Sequence, residues 1–116
     1  MAKHLLVVFS EAQPGREDEY NAWYQDQHLP DVLKVPGFRA AQRYRLQPAE
    51  GQDGAAARYL ALYEVETNDI AAAMADLTAR SGTPAMMISD ALNMPKVELH
   101  IAEPFGQRVT AQPVEA

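Results

Sequence analysis

The sequence predicts an α+β fold in which two helices cover one face of a four-stranded antiparallel sheet. Four segments of strand length have apolar or alternating patterns, and two stretches with helical spacing separate the first from the second and the third from the fourth. Turn residues stand between them. The order β-α-β-β-α-β is the split β-α-β, or ferredoxin-like, pattern. At 116 residues, the chain has the length of a single domain, with its core over residues 3–103.

The first third of the chain predicts a buried strand followed by a broken helix. Residues 4–10 form a nearly continuous apolar run, which is typical of a central strand buried on both faces. Acidic residues at 17–19 favour a helix that begins near Arg16 or Glu17. Because Pro30 removes a backbone donor, this helix is expected to end near His28, or to kink there and resume.

The middle of the chain predicts two antiparallel strands joined by a loop. Pro36 and Gly37 form a turn signal, and residues 38–46 then alternate, with Arg43 expected on a solvated face. Residues 47–57 are rich in Gly, Ala and polar side chains, which favours an exposed hairpin loop. Residues 58–65 resume the strand pattern.

The last part of the chain predicts a second helix and a fourth strand. Thr67 or Asn68 is expected to cap a helix whose apolar residues recur at spacings of three and four. Residues 83–92 are expected to form a short helical piece, and residues 96–103 alternate as a strand. Residues 104–116 have no period and are expected to form an arm or tail.

Composition excludes several classes of partner. A formal net charge of −6 argues against nucleic-acid binding, because a phosphate backbone attracts basic surfaces. The chain has no cysteine, so disulfides and thiolate metal sites are excluded, which suits the cytosol. The apolar run at residues 5–9 is too short for a membrane span or a signal peptide. We therefore expect a cytoplasmic protein with no membrane partner.

The segment 19–38 carries the strongest functional signal, because it contains the only Trp, a His and two Tyr residues. On a helical wheel, an aromatic face includes a carboxylate, with an imidazole at its flank. Such a face can pack a core, with the imidazole capping a broken helix end, or it can wall a pocket. The residues concerned are Tyr20, Trp23, Tyr24, Gln27, His28 and Asp31.

Four strand residues are further candidates. If the first and last strands are antiparallel neighbours, His4 and His100 could approach each other, but a metal site needs a third ligand, so no metal is predicted. His100 could instead line the pocket or a dimer interface. Tyr44 and Tyr63 are aromatic residues of the kind that pack strands, and each could also present a hydroxyl to a ligand.

The chain resembles the dimeric α+β barrel superfamily, close to its EthD-like branch. The motif consists of Trp23-Tyr24, His28-Leu29-Pro30 and Val35-Pro36-Gly37-Phe38, within a β-α-β-β-α-β order that covers about residues 3–103. The resemblance implies a homodimer and a pocket between helices and sheet in each subunit. A dimer would also cover a first strand that is apolar on both faces. The superfamily includes muconolactone-type isomerases, polyketide cyclases, cofactor-free monooxygenases and haem-dependent enzymes.

These observations favour a small-molecule enzyme without a bound cofactor. It would catalyse isomerisation, cyclisation or a lyase step by proton transfer on an aromatic, lactone or polyketide-like compound. Two alternatives stay open: a non-catalytic hydrophobic-ligand-binding or stress-related module, and a cofactor-free or haem oxygenase. In the enzyme hypothesis, His28 is the acid or base, Asp31 orients it and Tyr24 donates a hydrogen bond, while Trp23, Tyr63, Tyr44 and His100 bind substrate.

Overall fold

The computed structural model describes residues 2–48 and 57–113, and its elements follow the predicted order. The strands are β1 (Ala2–Ser10), β2 (Phe38–Arg45), β3 (Tyr59–Thr67) and β4 (Glu98–Ala102). The helices are α1 (Glu17–Trp23), α2 (Leu29–Val32) and α3 (Ile70–Arg80), with a π-helical turn at Tyr24–His28 and a 3₁₀ turn at Met94–Lys96. The α+β fold class is therefore confirmed.

The four strands form one antiparallel sheet in the order β2-β3-β1-β4. β1 pairs with β3 on one side and with β4 on the other, so the predicted central position of the first strand is confirmed. Because β1 lies between β3 and β4, the side chains of β1 lie near the centre of the sheet. Leu6, for example, lies between Tyr63 of β3 and Ile101 of β4.

The helices pack on one face of this sheet. Alternate residues of β1 and β3 join buried helix residues in one hydrophobic core, as the period of two in a strand requires. Those core residues include Leu6, Val8, Ala61, Tyr63 and Val65 from the strands and Tyr20, Tyr24, Leu29 and Val32 from the helical segments. The intervening side chains, Val7, Phe9, Leu60 and Leu62, lie on the opposite face, which we call the outer face.

A bulge in β2 reverses the predicted facing of its residues. The pairing steps from Phe38 opposite Val65 to Ala40 opposite Glu64, so one residue of β2 is inserted. Beyond the bulge, Arg43 pairs with the buried Ala61 and faces the helices. The prediction that Arg43 belongs to a solvated face is wrong. It assumed strict alternation along the strand, and a one-residue bulge moves every later residue to the opposite face.

The first helix continues through Pro30 by way of the π-helical turn. Leu29 keeps helical backbone angles, φ −57° and ψ −49°, although it precedes a proline. A proline ring collides with the carbonyl four residues back in a regular α-helix, and the wider π turn directly before α2 provides the space. Of the two predicted outcomes, the structure shows the helix resuming after His28, with Pro30 in the first turn of α2.

Three local predictions need correction or lie outside the described chain. Asp69, rather than Thr67 or Asn68, caps α3, because its carboxylate accepts a hydrogen bond from the backbone N–H of Ala72 at 3.0 Å. Residues 83–92 form turns instead of a helix, with Gln13 N–H bonded to the Ala91 carbonyl at 2.7 Å. Most of the predicted hairpin loop, residues 49–56, lies outside the described residues.

After β4, the chain leaves the body of the protein. Residues 103–113 have no regular structure and are exposed, including Phe105 at 101% and Val109 at 88% of full side-chain exposure. Within residues 2–48 and 57–113, no helix has the length and apolar character needed to cross a bilayer.

Candidate functional site

A cavity of about 250 Å³ lies between the helices and the core face of the sheet. Apolar side chains form most of its wall, including Leu6, Val8, Met74, Leu77, Met86 and Leu92. Four buried or half-buried polar residues interrupt that wall: Ser10, Tyr24, His28 and Tyr63. At the exposed mouth stand Thr78, Ser81, Met94 and Leu99. A mainly apolar cavity with a few convergent polar groups is the common form of a small-molecule site.

The π-helical turn determines where the His28 ring lies. Its residues wind by i to i+5, which brings His28 above Trp23, five residues earlier. The two rings stack with centroids 4.7 Å apart, while Tyr24 meets the imidazole edge to face at 5.0 Å. The Trp23 indole N–H is bonded to the Met87 carbonyl at 3.1 Å, so it holds the supporting ring in place.

His28 is uncharged at neutral pH. Burial lowers the pKa of its imidazole from 6.5 to about 4, and Arg43 acts in the same direction, against the opposing carboxylate of Asp31. The imidazole Nδ1 is buried and has no hydrogen-bond partner among the described residues. A neutral imidazole carries one acceptor nitrogen, so His28 can accept a proton or a hydrogen bond from a molecule in the cavity.

Beside His28, the cavity wall carries a group of buried hydroxyls. The Tyr63 and Tyr24 hydroxyls lie 3.4 Å apart, and the Ser10 hydroxyl lies 2.6 Å from that of Tyr20. Burial raises the pKa of Tyr24 to about 12 and raises that of Tyr63 further. Both phenols therefore remain protonated donors at neutral pH.

Arg43 lies behind this group. Its guanidinium carbon is 4.5 Å from the centroid of the Tyr24 ring, 5.3 Å from that of Tyr20 and 5.0 Å from that of Tyr59. The side chain also donates to the Asn21 amide oxygen at 2.9 Å. A cation over several aromatic faces is a favourable arrangement, and its field acts on every polar group nearby.

The structure brings some of the predicted site residues together and separates others. Tyr24, His28 and Tyr63 line the cavity. Trp23 does not line it, because it stacks behind the imidazole. Asp31 makes no hydrogen bond to His28 and instead lies 3.6 Å from the Lys34 ammonium. Trp23, and not Asp31 as predicted, therefore holds the imidazole in its orientation.

Tyr44 and His100 lie away from the cavity. Tyr44 pairs with Leu60 on the outer face because of the bulge in β2, and 48% of its side chain is exposed. His100 pairs with Val7 on the same outer face and is exposed. The expected position beside the pocket is wrong for both residues, since the sheet lies between them and the cavity. The alternative position of His100 at a dimer interface stays a prediction, because the expected homodimer would bury the outer face.

The two strand histidines do not meet. β1 and β4 are antiparallel neighbours as expected, but His4 shares the face of Leu6 while His100 shares the face of Val7. Within the part of the chain that the structure describes, no group of three or more His, Cys, Asp or Glu residues could hold a metal ion.

Ser10 and Arg43 were not among the site residues predicted from sequence, because Ser10 lacks the context of a nucleophile and Arg43, which could anchor an acidic ligand, was expected on a solvated face. Ser10 could have been found, because it has the same strand parity as Leu6 and Val8 and is therefore a polar residue at a core position. The position of Arg43 depends on the bulge, for which the sequence carries no clear signal.

Comparison with protein families places the chain in a family defined by sequence. Residues 4–76 match the model described as "Domain of unknown function (DUF4286)". The chain belongs to the DUF4286 family. The matched region includes β1, the broken helix with His28, β2, β3 and the start of α3. The search of curated proteins found no match.

Two solved structures with TM-scores above 0.5 support the fold. A protein described as a "Putative antibiotic biosynthesis monooxygenase" from Bordetella bronchiseptica has 19% identity and a TM-score of 0.60, over 95% of this chain and 100% of that one. The heme-degrader MhuD from Mycobacterium tuberculosis, with two hemes bound, has 18% identity and a TM-score of 0.56, over 91% and 99%. An EthD family protein from Bacillus halodurans has 16% identity and a TM-score of 0.48, over 88% and 99%. The fold expected from the resemblance to the dimeric α+β barrel superfamily is confirmed.

Proposed function

We propose that this protein is a small-molecule enzyme in which neutral His28 removes a proton from a largely apolar compound. One observation carries the proposal: the imidazole lines a mainly apolar cavity and is held there by stacking on Trp23. Burial keeps this ring neutral at pH 7, so it carries a nitrogen lone pair that can accept a proton.

The chemistry that follows is general-base catalysis. His28 would take a proton from a carbon next to a carbonyl, leaving an enolate, and would return it to another carbon of the same molecule. No atoms are gained or lost, so the net reaction is an isomerisation. With its pKa near 4, the imidazole is in its free form at neutral pH, so it is present as a base and not as an acid, and burial makes it a weaker base than a solvated imidazole.

The cavity sets the class of guest. Its volume of about 250 Å³ and its apolar wall suit a ring compound smaller than a typical drug, because drug-sized ligands occupy about 300–1,000 Å³. Met74 and Met86 line it with flexible side chains that adapt to different shapes. An aromatic ketone or lactone of one or two rings fits this description.

Exchange of carbon-bound hydrogen for deuterium tests the proton transfer without requiring the natural substrate. The probe is 2-tetralone, a two-ring ketone with acidic C–H groups, followed by NMR in deuterated buffer. We expect the protein to accelerate exchange, and His28→Ala to lower that acceleration by about 10²- to 10⁴-fold, the usual contribution of a positioned base.

The matched control is His100→Ala, which removes an exposed imidazole on the outer face. This variant should exchange the probe at the wild-type rate. A folded His28→Ala protein with undiminished exchange would show that His28 is not the base.

Oxygenation is the second candidate, because the similar structures include a monooxygenase and a heme-degrader. In a cofactor-free version, the enolate would react with O₂, so that a CH₂ group becomes a carbonyl and one water is released. Haem does not fit the residues present: His28 offers a free nitrogen, but a porphyrin is larger than the cavity of about 250 Å³. An oxygen electrode with 2-tetralone as probe distinguishes oxygenation from isomerisation.

A further inference from the structure

We propose that the hydroxyls of Ser10, Tyr24 and Tyr63 form an oxyanion-binding subsite beside His28, with Arg43 as its electrostatic support. The inference rests on the proposed function and names the substrate class more closely. The guest would present a ketone or phenol oxygen to these hydroxyls, and that oxygen would become an enolate or phenolate when His28 removes a proton.

The buried hydroxyls have more protons than the hydrogen bonds that they make with one another. Ser10, Tyr20, Tyr24 and Tyr63 carry four hydroxyl protons, and they make two bonds with one another. Two protons therefore make no hydrogen bond to the described residues. Because Ser10, Tyr24 and Tyr63 line the cavity, a guest oxygen is the acceptor within their reach.

The distance between the two phenols leaves room for this acceptor. Their oxygens lie 3.4 Å apart, beyond the 2.5–3.0 Å typical of O–H···O hydrogen bonds. Their mutual bond is therefore weak, and one oxygen that accepts from both phenols would replace it by two stronger bonds. Hydrogen bonds to an ionised acceptor are shorter and roughly twice as strong as neutral ones, so the pair favours the anionic form of the guest.

Arg43 makes the electrostatic environment suitable for an anion. Its guanidinium lies over the Tyr24 and Tyr20 rings and forms no ion pair with a carboxylate among the described residues. Its Nε is also buried without a partner among the described residues. The uncompensated positive charge stabilises negative charge on the hydroxyl side of the cavity. Fixed donors and charges of this kind are the usual means by which enzymes stabilise a developing oxyanion.

The alternative is that these hydroxyls only satisfy each other within the core. Tyr20 fits that description well, since its bond to Ser10 is 2.6 Å long and it is fully buried without lining the cavity. Tyr24 and Tyr63 do not, because their contact is long and both also face a cavity. The two interpretations predict different responses to an anionic ligand.

Binding of 4-nitrophenol tests the subsite, because its phenol and phenolate forms have different colours. Titration of the bound and free probe with pH gives the affinity of each form. We expect wild-type protein to bind the phenolate at least tenfold more tightly than the phenol. Tyr63→Phe should abolish most of this preference, and Arg43→Met, which removes the charge with less change to the core, should weaken it.

Tyr59→Phe is the matched control, because the Tyr59 hydroxyl is bonded to Glu17 and Asn21 and does not line the cavity. It should keep the wild-type preference. The proposal is overturned if wild-type protein binds both forms equally or binds neither, or if folded Tyr63→Phe and Arg43→Met proteins both keep the preference.

This result is independent of the test of His28. Loss of probe exchange in His28→Ala, combined with an unchanged phenolate preference in Tyr63→Phe, would support His28 as the base and contradict the oxyanion subsite. The reverse combination would retain an anion site and remove the proposed proton transfer.

Discussion

At the residue scale, His28 combines a fixed ring with a position in the wall of the cavity. Its ring is fixed by stacking on Trp23, and its buried Nδ1 makes no hydrogen bond to the described residues. The sequence could indicate this histidine, because it lies among aromatic residues and next to a helix-breaking proline. The sequence could not indicate that the ring stacks on Trp23 while Asp31 pairs with Lys34. This arrangement depends on a helical turn with i to i+5 winding instead of the usual i to i+4.

Protonation of His28 should make the protein less stable in acid. Its folded pKa of about 4 lies below the ordinary 6.5, so the unfolded chain takes up the proton first as the pH falls. The contribution of neutral His28 to the unfolding free energy is therefore fully present above pH 6.5, and it is lost as the pH falls from 6.5 to about 4. At 1.36 kcal/mol per pKa unit, the loss is on the order of 3 kcal/mol.

Urea unfolding across this pH range measures the effect. Wild-type protein should lose more unfolding free energy than His28→Gln, which cannot take up a proton at that position. His100→Gln, which changes an exposed imidazole, should follow the wild type. Parallel curves for wild type and His28→Gln would contradict a depressed pKa.

At the element scale, two irregularities determine which side chains reach the site. The π-helical turn places His28, and the bulge in β2 turns Arg43 toward the helices. The strands, the first helix and their order could be predicted, because they follow from apolar periodicity and turn residues. The irregularities could not, since each adds one residue to a regular pattern without a distinctive composition.

The turn into β2 depends on Gly37. Its φ is +95°, and an added Cβ would lie 3.2 Å from the backbone carbonyl oxygen of Glu66. Gly37→Ala should therefore lower the unfolding free energy by more than the roughly 1–2 kcal/mol that a left-handed backbone costs a side-chain-bearing residue. The measurement is chemical unfolding at neutral pH.

Gly82→Ala provides the comparison. Gly82 has a φ of +84°, but no atom of the described residues lies within 4 Å of an added Cβ, so Gly82→Ala isolates the backbone cost. Equal losses for the two variants would show that the contact with Glu66 contributes nothing.

At the scale of the whole molecule, the sheet has one face in the core and one outer face that the helices leave uncovered. The outer face presents Val7, Phe9, Leu60 and Leu62, and the predicted homodimer would bury it. The fold class could be predicted from sequence because it requires only the order and type of elements. The cavity could not, because its volume depends on how closely side chains from all of them pack.

Sedimentation tests the dimer. We propose that the chain sediments at about twice its mass of 12.8 kDa and that Leu62→Arg, on the outer face, shifts it to the monomer. Ile101→Arg places the same charge on an exposed residue of the other face and should stay dimeric. A wild-type protein that sediments as a monomer at high concentration would remove this proposal.

Occupation of the cavity by a small aromatic guest is the claim on which the functional account depends, and NMR titration with 2-tetralone tests it most directly. We predict that signals from the His28 imidazole and from the methyl groups of Leu6, Val8 and Met86 shift together and saturate. Signals from Leu60 and Leu62 on the outer face should not move. Shifts confined to the outer face, or no saturable shift at His28, would contradict the account.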